Sequence, residues 1–201
     1  MLSNLSVGVD DWQRPELIRD YYPESLPEEW RADFYLNEFA TVLIAQSDWS
    51  KWDEAWLEEL EQAYRDNTAL YFRIDQRDTI NQQALSQIVE RLGEWLAGFV
   101  VFDAAWSEQE MRYFERPVTF VSNHQAWSGW SWSFQGVTLS GTPCGWLQDL
   151  PSEPKSQREI LQDFVASLPD KNRAVPFFVG GESINMGRLQ GLKTLAELLG
   201  Y

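Results

Sequence analysis

Apolar residues in this chain fall into short β-prone runs separated by longer stretches with helical periodicity. The runs are LSVGV (5–9), ATVLIA (40–45), ALYFRI (69–74), GFVVF (98–102), PVTFV (117–121), GVTLS (136–140) and VPFFV (175–179). Each is rich in the β-branched and aromatic residues that suit a pleated, buried surface. Between them, 27–39, 53–65, 80–96, 107–115, 156–168 and 185–200 read as helices. In 80–96, Ile80, Leu85, Ile88, Val89, Leu92 and Leu96 repeat at helical spacing and mark a face that packs on a sheet. Around 53–65, Trp52, Trp56, Leu57, Leu60 and Tyr64 do the same with acids between them, the pattern of a core-facing stripe with a solvated back.

Strands alternating with helices predict βα units and a mainly parallel sheet. The expected fold is α/β, a TIM-barrel-like (β/α) barrel that is small or incomplete, with about seven parallel strands. An open doubly wound sheet is the second arrangement the pattern allows. With 201 residues, 44% of them hydrophobic and 14% aromatic, residues 1–201 can bury one core as a single domain. The segments 123–135 and 141–155 stand out as long irregular connections.

Charge narrows the partners. The 31 acids against 16 Lys and Arg give a net charge of −15, which repels phosphate-rich partners and points away from nucleic acid. A single cysteine, Cys144, and a single histidine, His124, cannot build a four-ligand Cys/His zinc site or an internal disulfide. MLSNLSVGVDDW carries neither a basic nor a long apolar leader region, and no 18-residue apolar run occurs, so a cytoplasmic protein without a membrane span is expected.

Several segments resemble the YecE-like proteins, the domain-of-unknown-function 72 family. VGVDDW (7–12) resembles that family's opening strand, usually IGTSGW. In DYYPESLPEEWRADFYLNEFATVLI (20–44), Tyr22, Pro23, Leu26, Pro27, Tyr35, Phe39, Thr41 and Val42 match its FYP…LP…YA..F.TVEI segment. FVVFDAAW (99–106), GVTLSG (136–141) and VPFFVGGESINMGRLQGLKTLAELL (175–199) follow in the order of its VEFRHPSW, YVRLHG and VYFNN-plus-helix segments. The resemblance implies a (β/α) barrel. It also implies a stripped site, because family Glu, Asn, Arg and His positions hold Leu43, Ala45, Val100, Phe102, Asp103, Thr138 and Ser140 here, and its paired Asn become Val179 and Gly180 or their neighbours. A degenerate member acting as a protein- or small-ligand-binding module is therefore the first functional expectation.

In such a barrel, function gathers at the C-terminal ends of the strands. Asp10, Asp11, Asp103, Glu182, Ser183 and Asn185 all lie there. Converging carboxylates suit Mg²⁺ or Mn²⁺, whereas the plainer reading is that Asp, Ser and Asn cap the following helices. His124 in VSNHQAW could move protons near neutral pH, and with Asp103 and Glu182 it completes the weak catalytic candidates. Trp127, Trp130 and Trp132 in WSGWSWSF could stack on a ring-bearing ligand or simply fill space. The turn FFVGGESINMGR (177–188) lacks both phosphate-loop signatures and reads as a strand-to-helix connection. The competing function is a hydrolase or isomerase with an acidic, metal-assisted site; no cofactor is otherwise implied.

Overall fold

The computed structural model describes residues 5–171, 173–181 and 184–201. Its strands are β1 (Leu5–Asp10), β2 (Thr41–Ile44), β3 (Ala69–Ile74), β4 (Leu96–Val101), β5 (Arg112–Tyr113), β6 (Arg116–Ser122), β7 (Ser131–Phe134), β8 (Val137–Gly141), β9 (Gly145–Leu147) and β10 (Val175–Val179). The helices are α1 (Pro15–Asp20), α2 (Arg31–Leu36), α3 (Gln46–Trp49), α4 (Glu54–Ala63), α5 (Gln82–Leu92), α6 (Pro154–Ser167) and α7 (Met186–Leu198).

These strands form a nearly closed, barrel-shaped mixed sheet in the order β7-β8-β6-β4-β3-β2-β1-β10-β9, with β5 on β6. Parallel pairing links β6 through β4, β3, β2, β1 and β10 to β9. The expected parallel strand at 136–140 is corrected. β8 runs antiparallel to β6 and forms a hairpin with β7. Its turn is Gln135-Gly136, both with positive φ (49° and 81°), the backbone that a two-residue hairpin turn needs. The segment leaving β8 bridges towards β9, with Thr142 N–H donating to Val118 O at 3.1 Å and Thr119 Oγ1 donating to Thr142 O at 2.7 Å.

The helix expected at 107–115 is also corrected. It is a 3₁₀ turn at Glu108–Glu110 followed by β5, because Phe114 and Glu115 take positive φ and turn the chain straight back into β6. The helix expected over 80–96 ends at Leu92, where Gly93 (φ 53°) breaks it, so Leu96 opens β4 instead. The segment 27–39 divides into a 3₁₀ turn at Glu28–Trp30 and α2.

Strand alternation sets two faces. Leu70, Phe72 and Ile74 of β3 are buried. Phe72 stacks on Trp49 (5.2 Å) and meets Phe99 edge-on, which is the outer layer between sheet and helices. The other face points into the barrel, where parallel partners share a side: Asp10 with Leu43, Leu43 with Tyr71, Arg73 with Val100, Val100 with Thr119, and Trp146 with Phe178. Contacts across the interior confirm it, since Tyr71 of β3 meets Phe178 of β10 at 5.3 Å. Tyr35 of α2 fastens the first βα unit; its hydroxyl accepts from Val9 N–H and donates to Thr41 O, both at 2.9 Å. No helix among the described residues is long and apolar enough to cross a membrane.

Candidate functional site at the C-terminal mouth

Inward residues at the C-terminal ends of β1, β3, β4, β9 and β10 line an open cleft of about 670 Å³. Its walls are Asp10, Arg14, Arg73, Phe102, Trp146, Gln148, Asp149 and Gly181. Asp10 closes β1 and is buried. Its Oδ2 accepts from Arg73 Nη1 at 2.7 Å and from the Trp146 indole N–H at 2.9 Å, while its Oδ1 is buried without a partner among the described residues. Arg73 also donates through Nε to Asp75 (2.8 Å), and its guanidinium lies 4.1 Å from the Phe102 ring centre. Phe102 in turn meets Trp146 edge-on at 5.0 Å. Four strand ends therefore hold one ion pair, one indole and one phenyl ring in fixed relation.

The rim is different. Gln148 and Asp149 are exposed, and among the described residues their side chains make no hydrogen bond or ion pair. Arg14 reaches Asp10 O at 3.3 Å and stands 3.6 Å from Glu16. Gly181 (φ 93°) packs so closely on Gln148 O that a Cβ there would collide, which brings the β9 and β10 ends together around the cleft.

Among the described residues, Asp10 alone of the candidate site residues singled out from sequence lines this cleft. Asp11 accepts from Gln13 N–H, Asp103 from Arg77 and Ala105 N–H, and Asn185 from Arg188 N–H at the start of α7, so all three serve as turn or helix caps. Glu182 and Ser183 lie outside the described residues. His124 is exposed on the loop after β6. Trp127 is buried and stacked on Phe120 (4.9 Å); Trp132 is buried against Phe164 and Phe177, its N–H donating to Asp163 at 2.8 Å. Trp130 is half-buried and packs edge-on against Phe164. Among the described residues no three His, Cys, Asp or Glu side chains are grouped to hold a metal ion. Cys144 is buried, which pushes its thiol well above the usual range.

Five cleft residues escaped the sequence reading: Arg14, Arg73, Trp146, Gln148 and Asp149. Arg73 sits at an inward position of ALYFRI, and alternation with the buried Leu70, Phe72 and Ile74 is the signal that exposes it. Trp146 lies in a stretch read as irregular, although Trp146 and Gln148 are spaced to share one face of a strand. A second acid, Asp48, lies in α3 just after β2 and outside the cleft lining. Burial and the neighbouring Asp11 push Asp48 up to about 6; the indoles of Trp12 and Trp52 oppose this, short of full hydrogen-bond geometry.

No family model matches the sequence, and no curated protein does. A solved structure of a DUF72 family protein from Thermotoga maritima matches at a TM-score of 0.60 and 8% identity, over 98% of this chain and 99% of that one. Arrangement rather than sequence carries that likeness: the chain has a DUF72-like fold.

Proposed function

We propose that this protein is a TIM-barrel-like binding module that takes a small, neutral, hydroxyl-bearing ring, a monosaccharide or similar polyol, at the C-terminal mouth of its barrel. The observation that carries this reading is the pairing of the Phe102–Trp146 wall with the uncommitted Gln148 amide and Asp149 carboxylate beside it. An aromatic wall suits the apolar face of a sugar ring, and the amide and carboxylate suit its hydroxyls. The charges lining the cleft balance, Asp10 and Asp149 against Arg14 and Arg73, which favours a neutral ligand over an ion.

Binding without chemistry is the simpler reading. The acid deepest in the cleft, Asp10, has one oxygen committed to Arg73 and Trp146, and the inward positions 43, 100 and 102 carry Leu, Val and Phe. Titration of a monosaccharide panel, followed by tryptophan fluorescence, tests the reading. Saturable binding is expected, weakened about 10-fold by Gln148→Ala or Asp149→Ala, as suits loss of a hydrogen bond to a neutral or charged group. A flat response across the panel, or saturation untouched by either change, sinks it.

A further inference from the structure

We propose a second binding site at the opposite, N-terminal mouth of the barrel, built for a small aromatic carboxylate. A cavity of about 240 Å³ opens there, lined by Phe99, Pro117, Pro143 and Pro176, with Tyr71 inside and both Asp170 and Arg173 among the lining residues. Pro117 and Pro176 stand at the starts of β6 and β10. This site is separate from the cleft above because Tyr71 and Arg73 occupy successive inward layers of β3. Arg73 reaches the C-terminal mouth and Tyr71 faces the other way.

Two features indicate a ligand rather than leftover packing space. The Tyr71 hydroxyl makes no hydrogen bond among the described residues, although burial raises its phenol well above its usual value and keeps it a donor. A hydroxyl donor that opens on a cavity with no protein partner offers its hydrogen bond to an acceptor placed there. Arg173 is exposed and makes no ion pair among the described residues, and its charge acts on the Tyr71 phenol. Gly98 lets the β4 backbone press against this ring, since a Cβ there would stand 2.9 Å from Pro117 O and 3.1 Å from the Tyr71 ring, and so holds Tyr71 in place.

The chemistry follows from these parts. Phenol and guanidinium both donate to a carboxylate, and Pro117, Pro143 and Pro176 offer apolar walls to a flat ring. At about 30 Å³ per water volume, the cavity holds roughly eight such volumes, room for a ligand the size of benzoate.

Benzoate and its uncharged analogue benzamide are the probes, read by ligand-observed NMR and calorimetry on the full chain. Benzoate should bind with a millimolar Kd and benzamide about 10-fold more weakly. Arg173→Gln should remove that preference, and Tyr71→Phe, which keeps the ring and deletes only a hydroxyl that has no partner, should weaken benzoate several-fold without loss of stability. No benzoate binding up to about 20 mM, equal affinity for both probes, or binding indifferent to both substitutions overturns the proposal.

Discussion

Replacing Arg73 by Met isolates the ion pair at the floor of the C-terminal cleft. Methionine keeps an unbranched apolar stem against Phe102 but deletes the partner of a carboxylate that is 1% exposed. Asp10 would retain only the Trp146 N–H, at 2.9 Å. Removing one member of a buried pair costs about 3–5 kcal/mol; the Arg73 side chain is 26% exposed and already shared with Asp75. The loss should therefore lie near the low end, about 3 kcal/mol. Asp10→Asn, which preserves an acceptor for Trp146, should cost about 1–2 kcal/mol, within the range for a broken hydrogen bond. The double variant should be no worse than Arg73→Met alone, giving an interaction energy at least equal to the Asp10→Asn cost, about 1–2 kcal/mol. Urea denaturation of the four proteins at neutral pH measures it. An interaction energy below about 0.5 kcal/mol, the value of a solvent-exposed pair, would refute the view that this pair organises the cleft.

Other consequences follow from single contacts. Asp48 has a folded value raised from the usual 3.8 to about 6, so its protonated form is favoured by folding. Its contribution is fully present below about pH 4 and is lost as pH rises through 6, about 3 kcal/mol in all; Asp48→Asn should remove that slope from stability measured between those limits and raise stability at pH 7.5. Tyr35→Phe strands the buried Val9 N–H and Thr41 carbonyl and should cost about 2–3 kcal/mol by chemical denaturation. Trp132→Ala, at a residue 4% exposed between Phe164 and Phe177, should cost about 3–5 kcal/mol, whereas the half-buried Trp130→Ala should cost clearly less.

Much of the scaffold could be read from hydrophobic alternation, and the departures have local backbone causes. ALYFRI and VPFFV coincide with β3 and β10 because dense β-branched and aromatic runs leave no competing period. The two hairpins were missed because their turns, Phe114-Glu115 and Gln135-Gly136, place three non-glycine residues at positive φ, a conformation side chains rarely announce. That error hid β7 and made the tryptophans of 127–132 look free, when pairing with β8 commits Trp132 to the layer beneath α6. At the site, Asp10 was visible as a strand-end acid, but its partners were not. They come from β3 and β9, 63 and 136 residues away, and only sheet register brings them together. The substitution of apolar residues at 43, 100 and 102 was legible from resemblance, and the register places all three positions inward. What the comparison of motifs could not show is that one charged pair, Asp10 and Arg73, occupies the same interior.

The central claim is that the C-terminal mouth holds a neutral polyol against the Phe102–Trp146 wall. A crystal structure of the protein soaked in a monosaccharide selected by the fluorescence panel tests it most directly. A sugar ring is expected against Trp146, with hydroxyls in hydrogen-bond reach of Gln148 and Asp149. A sugar found elsewhere on the molecule, or an empty cleft in crystals soaked at saturating concentration, would contradict it.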